Sequence, residues 1–248
     1  MNIKIDGLNT YYETQGVGEC VLFMHGFRGS CDSFKGVYNK LKEKFKVLSL
    51  NFWGMDNDKS DLPKRTFFVE DYAKNVLLFL DALDLKRVNI VAHSFGGRVA
   101  IYLAANYPER VDKVILCDSA GIKPKKTIKY HTRVFKYKFT KILVKFKILK
   151  INALNKYGST DYKSMPPVMR QTFINVVNEN LLKYAKMVTC PVLIVWGKKD
   201  IDTPLYMAKR LHKNIKSSGL IVYENAGHYS YIDNFAEFCI VADYFFSN

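Results

Sequence analysis

One stretch of the 248-residue chain combines residue types at a spacing that suits acyl-transfer chemistry. A mostly apolar run, Val88–Ala92, is followed by His93 and Ser94, and Phe95-Gly96-Gly97 then leads into a second apolar stretch. Ala92 and Gly96 flank Ser94 at minus two and plus two, where a tight strand-to-helix turn leaves no room for side chains. Such a turn lifts the serine hydroxyl clear of a sheet and sets it at a helix N-terminus, where unpaired N–H groups favour developing negative charge. Ser94 taken alone would also suit helix capping. A serine hydroxyl is a weak nucleophile until a base accepts its proton, and the base needs an acid to orient it. His228, in Asn225-Ala226-Gly227-His228, stands between the last apolar β-rich run and the last helical stretch and is a candidate for the first task, and Asp200, in Gly197-Lys198-Lys199-Asp200, is one carboxylate candidate for the second. Asp202 and Asp118 are alternatives for the acid, whereas His93, His131 and His212 lack a comparable setting.

These residues need elements to hold them. Apolar, β-rich runs predict strands at Ile3–Ile5, Thr10–Thr14, Cys20–Met24, Lys46–Leu50, Val88–Ala92, Val114–Cys117, Val192–Trp196 and Leu220–Tyr223. Val69, Tyr72, Val76, Phe79, Leu80 and Leu83 recur every three or four residues, which predicts a helix with one core-facing stripe. Further helices are expected from Phe95 to about Asn106, from Pro204 to about Lys213 and from Phe235 to Phe246. Alternation of this kind builds a mostly parallel sheet covered by helices. Ser94, Asp200 and His228 then fall on loops at the carboxyl ends of separate strands, where open α/β sheets bind ligands.

The order of these motifs resembles the α/β-hydrolase family over nearly the whole chain. The resemblance implies an eight-stranded, mostly parallel sheet flanked by helices, with a helical cap inserted after the sixth strand. Residues 1–121 and 187–248 would form the core and 122–186 the cap. Ala92 departs from the family's G-x-S-x-G elbow, a small residue for a small one. Phe23-Met24-His25-Gly26-Phe27 resembles the family's His-Gly oxyanion loop, which implies backbone N–H donors at Phe27 and Phe95. Asp200 stands in the family's W-G-x-x-D-x-x-x-P setting, and Ser, Asp, His is the family's chain order. Serine at the nucleophile position excludes the dehalogenase and epoxide hydrolase chemistry that uses aspartate there. No metal or organic cofactor is implied.

Charge narrows the substrate. The formal net charge is +15, but the interval from Lys123 to Thr160 holds twelve basic residues and no Asp or Glu, while the other 26 basic residues nearly cancel the 23 acidic ones. Phe135, Phe139, Ile142, Phe146 and Leu149 repeat at helical spacing among Lys136, Lys141, Lys145 and Lys150. This predicts a basic amphipathic cap whose apolar side roofs the pocket; contact with an anionic lipid surface is the alternative. No nucleic-acid-binding motif accompanies the charge. The absence of acidic residues from Lys123 to Thr160 also disfavours the prolyl aminopeptidase activity of this fold, which needs carboxylates for a substrate ammonium.

The chemistry these features imply is hydrolysis of carboxylic esters with small to medium acyl chains. Carbon–carbon bond and thioester cleavage use the same residues. His25–Ser30 and Ser94–Arg98 also resemble the loop and elbow of a menaquinone-pathway synthase of this fold. On that resemblance Arg98 would bind a substrate carboxylate; otherwise it braces its helix by a salt bridge. Arg28 and His25 are further candidates for substrate contact, with His25 also suited to bracing its loop. A ligand receptor on the same fold is the non-enzymatic alternative.

Five scattered cysteines without a CxxC pair predict reduced, mostly buried thiols rather than disulfides or a zinc site. The N-terminal residues lack an apolar stretch behind a basic start, and no run approaches the roughly 18 apolar residues of a membrane span. A soluble cytoplasmic protein is therefore expected.

Overall fold

The computed structural model describes residues 1–55, 60–123, 128–146, 149–150, 153 and 164–248. The chain opens with β1 (Asn2–Ile5) and β2 (Leu8–Gln15), joined by a turn at Asp6-Gly7. β3 (Cys20–Met24), α1 (Lys35–Leu41), β4 (Lys46–Leu50), α2 (Val69–Ala82) and β5 (Val88–His93) follow. Next come α3 (Phe95–Asn106), β6 (Val111–Cys117), α4 (Ile128–Lys145), α5 (Pro167–Asn178) and α6 (Leu182–Ala185). The last elements are β7 (Val192–Gly197), α7 (Tyr206–Asn214), β8 (Ser218–Tyr223), α8 (Ser230–Asp233) and α9 (Phe235–Ser247).

All eight expected strands join one sheet in the order β1-β2-β4-β3-β5-β6-β7-β8. The pairs β1·β2 and β2·β4 are antiparallel and every other neighbour is parallel. Because both faces of the parallel part are covered, alternate residues of a strand enter different cores. In β3, Leu22 and Met24 join one buried cluster with α2 and α3, while Val21 and Phe23 join the other with α1 and α9.

α2 forms because Val69, Tyr72, Ala73, Val76, Phe79 and Leu80 make one buried stripe. The Asp71 carboxylate accepts the Phe68 N–H at its start. α3 is buried along its length from Phe95 to Ala105, which suits a helix wedged between sheet and neighbours. A 3₁₀ turn at Cys31–Phe34 and α1 were not expected from sequence. Their buried set, Phe34, Val37, Tyr38 and Leu41, nevertheless has helical spacing.

Between β6 and β7 the amphipathic helix is present as α4, yet its apolar stripe does not line the cavity described below. Phe135, Phe139, Ile142 and Phe146 are 70%, 53%, 50% and 69% exposed. Met165 and, from α5, Phe173 line that cavity instead. Helical periodicity fixes that a helix has an apolar face but not what that face meets. Part of the expected cap, including Lys125, Lys126 and Lys156, lies outside the described residues.

Candidate active site

Ser94 sits where β5 ends and α3 begins, with φ 48° and ψ −109°. This conformation is rare for a residue with a side chain and costs on the order of 1–3 kcal/mol. The turn is held from both sides: the Ser94 N–H donates to the Cys117 carbonyl (3.1 Å) and the Gly96 N–H to the His25 carbonyl (3.1 Å). The Ser94 carbonyl accepts the N–H groups of Gly97 and Ala120. Glycine is required at Gly96, because a Cβ there would overlap the Met24 carbonyl.

The structure brings the three expected residues together. His228 Nε2 lies 3.2 Å from Ser94 Oγ, and His228 Nδ1 lies 2.9 Å from Asp200 Oδ2. Asp200 hangs on a loop closed by Trp196, whose indole N–H donates to the Thr203 carbonyl (2.7 Å). Its Oδ1 accepts the backbone N–H groups of Asp202 and Thr203, and Oδ2 accepts the Thr203 hydroxyl (2.5 Å).

These contacts set the charges. Burial pushes the Asp200 carboxyl up, but hydrogen bonds from His228 and Thr203 outweigh it and leave its pKa below the ordinary value. Burial likewise pushes the His228 imidazole down, and the hydrogen bond and charge of Asp200 more than offset this, so its pKa lies above the usual 6.5. Asp200 is thus an anion that stabilises a cationic His228.

The other acid candidates are placed differently. Asp118 is buried with φ 44°, and its two oxygens accept the backbone N–H groups of Gly197 (2.8 Å) and Ser230 (2.9 Å). It clamps the Asp200 loop to the His228 loop. Burial, only partly opposed by those donors, raises its pKa to about 6. Asp202 is exposed at the cavity rim, and its own N–H donates to Asp200. Asp200, Asp202 and His228 also place possible ligand atoms within 4.8 Å of one another, but Asp200 and His228 are already hydrogen-bonded to each other.

Two residues at the site do work that sequence reasoning missed. Thr203 fixes both oxygens of Asp200, and its hydroxyl also lies 3.4 Å from His228 Nδ1. His93 is buried, and its Nε2–H donates to the His228 carbonyl (2.8 Å), so it holds the backbone of the loop that carries the base. Burial and the neighbouring His228 drive the His93 pKa to about 3 and keep its ring neutral. A threonine three residues after the acid is a local signal; the tie from His93 crosses 135 positions and leaves none.

His25 is corrected as a substrate contact. It is buried, its Nδ1–H donates to the Gly26 carbonyl (2.7 Å), and its Nε2 accepts the Phe52 N–H (3.0 Å). With both nitrogens occupied it braces the loop, and burial lowers its pKa to about 4. Arg98 is also buried, and it donates to the carbonyls of Glu179 (2.9 Å) and Val177 (3.4 Å) at the end of α5. The expected brace is therefore made to helix-terminal carbonyls rather than to a carboxylate, an arrangement that also complements the helix dipole. Arg28 stays at the rim, where its guanidinium donates to the Ser164 hydroxyl (3.3 Å).

A cavity of about 610 Å³ opens over Ser94 and His228. Phe27, Met165 and Phe173 give it apolar walls, and Arg28, Asp202 and Tyr229 add polar groups. Phe27 meets Phe173 and Phe95 edge to face at 4.9 and 5.8 Å between ring centroids, which ties the loop after β3 to both α3 and α5. A smaller cavity of about 170 Å³ shares Ser94 and reaches Phe95 and Arg98. Volumes of this order suit a small organic molecule.

Fold, elbow and residue order agree with one family, and the chain belongs to it: residues 19–148 match the family described as alpha/beta hydrolase fold. Residues 174–247 match the family described as TAP-like protein. The uncharacterized hydrolase YugF of Bacillus subtilis is 28% identical over 250 aligned residues, spanning 90% of this chain and 89% of that protein. Among solved structures, the meta-cleavage product hydrolase from Pseudomonas fluorescens superposes with a TM-score of 0.77 at 24% identity, covering 100% of this chain and 97% of that one. An esterase from Exiguobacterium antarcticum superposes with a TM-score of 0.78 at 24% identity, covering 100% and 99%. Both superpositions establish a shared fold.

Proposed function

We propose that the protein is a serine hydrolase that cleaves carboxylic esters of small to medium acyl chains through an acyl-enzyme on Ser94. The observation that carries this reading is the continuous relay from Ser94 Oγ to His228 Nε2 and from His228 Nδ1 to Asp200 Oδ2. As Ser94 attacks the ester carbonyl, His228 takes the hydroxyl proton and Asp200 stabilises the resulting imidazolium. The oxygen of the tetrahedral intermediate takes negative charge, and the backbone N–H groups of Phe27 and Phe95 receive it. One such donor is worth roughly 10²–10³ in rate. His228 then protonates the leaving alcohol, and the acyl-enzyme remains. Water attacks the acyl carbon as His228 removes its proton; the bond to Ser94 Oγ then breaks, Oγ takes the proton back from His228, and the acid departs.

The strained backbone at Ser94 supports an enzyme over a receptor, because a binding module has no use for a serine held at that cost. Residues 122–186 act in this reading as a cap, with Met165 and Phe173 shaping the acyl pocket. The test is a chromogenic ester series of increasing acyl length on the purified protein and on Ser94→Ala. Turnover with an optimum at short to medium chains is expected, falling by about 10⁴-fold or more in the variant. Equal turnover in the variant would reassign the nucleophile.

A further inference from the structure

Phe135, Phe139 and Ile142 of α4, with Phe146 just past its end, recur at spacings of three and four and so share one helix face. That face is open to solvent, and the rings of Phe135 and Phe139 lie parallel with centroids 6.3 Å apart. Contiguous exposed apolar surface of this kind marks a place that something else covers. The same helix carries exposed Lys136, Lys138 and Lys141, within an interval that has twelve cations and no carboxylate.

Two demands thus fall on one occupant: it must offer an apolar medium to the phenylalanines and negative charge to the lysines. A nucleic-acid duplex meets the second and leaves the rings in water, and a single strand can stack bases on the phenylalanines but offers no apolar medium to Ile142. A bilayer with anionic headgroups meets both, since a basic amphipathic helix lies in the interface with its rings at the acyl boundary and its ammonium groups among phosphates. We propose that α4 docks the protein on the surface of a bilayer containing anionic phospholipid, with Phe135, Phe139, Ile142 and Phe146 inserted. No helix among the described residues is long and apolar enough to cross a membrane, so the contact is peripheral. None of the four residues lines the cavity over Ser94, and the proposal stands or falls independently of the hydrolytic reading.

The experiment is co-sedimentation of the full chain with phosphatidylcholine vesicles, with and without phosphatidylglycerol, at low and high salt. Two double variants run beside it, Phe135→Ser with Phe139→Ser and Lys136→Glu with Lys138→Glu. Circular dichroism verifies folding, which these exposed substitutions should leave intact. Association with anionic vesicles is expected, weaker by about tenfold or more on neutral vesicles, in high salt and in either variant. The proposal is overturned by absence of association with anionic vesicles, or by association that survives loss of the phenylalanines, which would reduce it to charge alone. A concentration-dependent dimer of the parent chain that the phenylalanine variant lacks would overturn it too, by giving the stripe to a second copy.

Discussion

Asp200 and Asp118 are both buried carboxyls near His228, and their surroundings separate their tasks. Asp200 touches the imidazole and is held anionic by its donors, whereas the two oxygens of Asp118 accept the backbone N–H groups of Gly197 and Ser230. Replacing Asp200 with Asn keeps the shape but removes the charge that raises the His228 pKa. His228 must be neutral to accept the Ser94 proton, so the proposed ester hydrolysis should decline in the parent protein as pH falls through that raised pKa. In Asp200→Asn the acidic limb should move to lower pH and the rate should drop by about 10⁴-fold. Rate measurements from pH 5 to 9 on both proteins check this. A full rate with an unmoved limb would return the acid's role to another carboxyl. At this scale the sequence was most legible: a nucleophile between small residues, an acid after a Trp-Gly and a base before the last helix are local patterns. Thr203 and His93 act through contacts that only the folded loops create.

The loops that carry acid and base leave β7 and β8, and β6 supplies the residue that joins them. Parallel pairing sets Cys117 opposite Val195, which brings Asp118 to the Gly197 N–H; the second oxygen then reaches Ser230 beside His228. In Asp118→Asn one oxygen is exchanged for an N–H₂ group that cannot accept, leaving one buried backbone donor unpaired. The expected loss is about 1–3 kcal/mol of stability, read from the urea midpoint, with a reduced maximal rate and an acidic limb that moves to lower pH by less than in Asp200→Asn. An unchanged midpoint would mean that the clamp bears no load. Strand existence was readable because the core strands are apolar runs, α2 followed from its stripe, and α9 from its start and stop signals. The short helix α1 was not anticipated, because its seven residues sit inside what reads as a connection. The exposure of the α4 stripe was not anticipated either, since spacing reports a face and not its neighbour.

Across the whole molecule, a near-neutral hydrolase-fold core carries one strongly basic excursion between β6 and β7. Composition exposed that asymmetry at once, and chain order pointed to the family before any distance was known. Cavity shape was not legible, because Phe27, Met165 and Phe173 converge from three separate places in the chain. All five cysteines are free, as their spacing indicated. The central claim is that this arrangement makes Ser94 an activated serine. Its most direct test is brief exposure of the folded protein to a fluorophosphonate, a reagent that phosphonylates serines activated by a neighbouring base, followed by intact mass and peptide mapping. The account predicts a single adduct on Ser94, with labelling strongly slowed in His228→Ala. An unlabelled folded protein, or an adduct on a different serine, would contradict it.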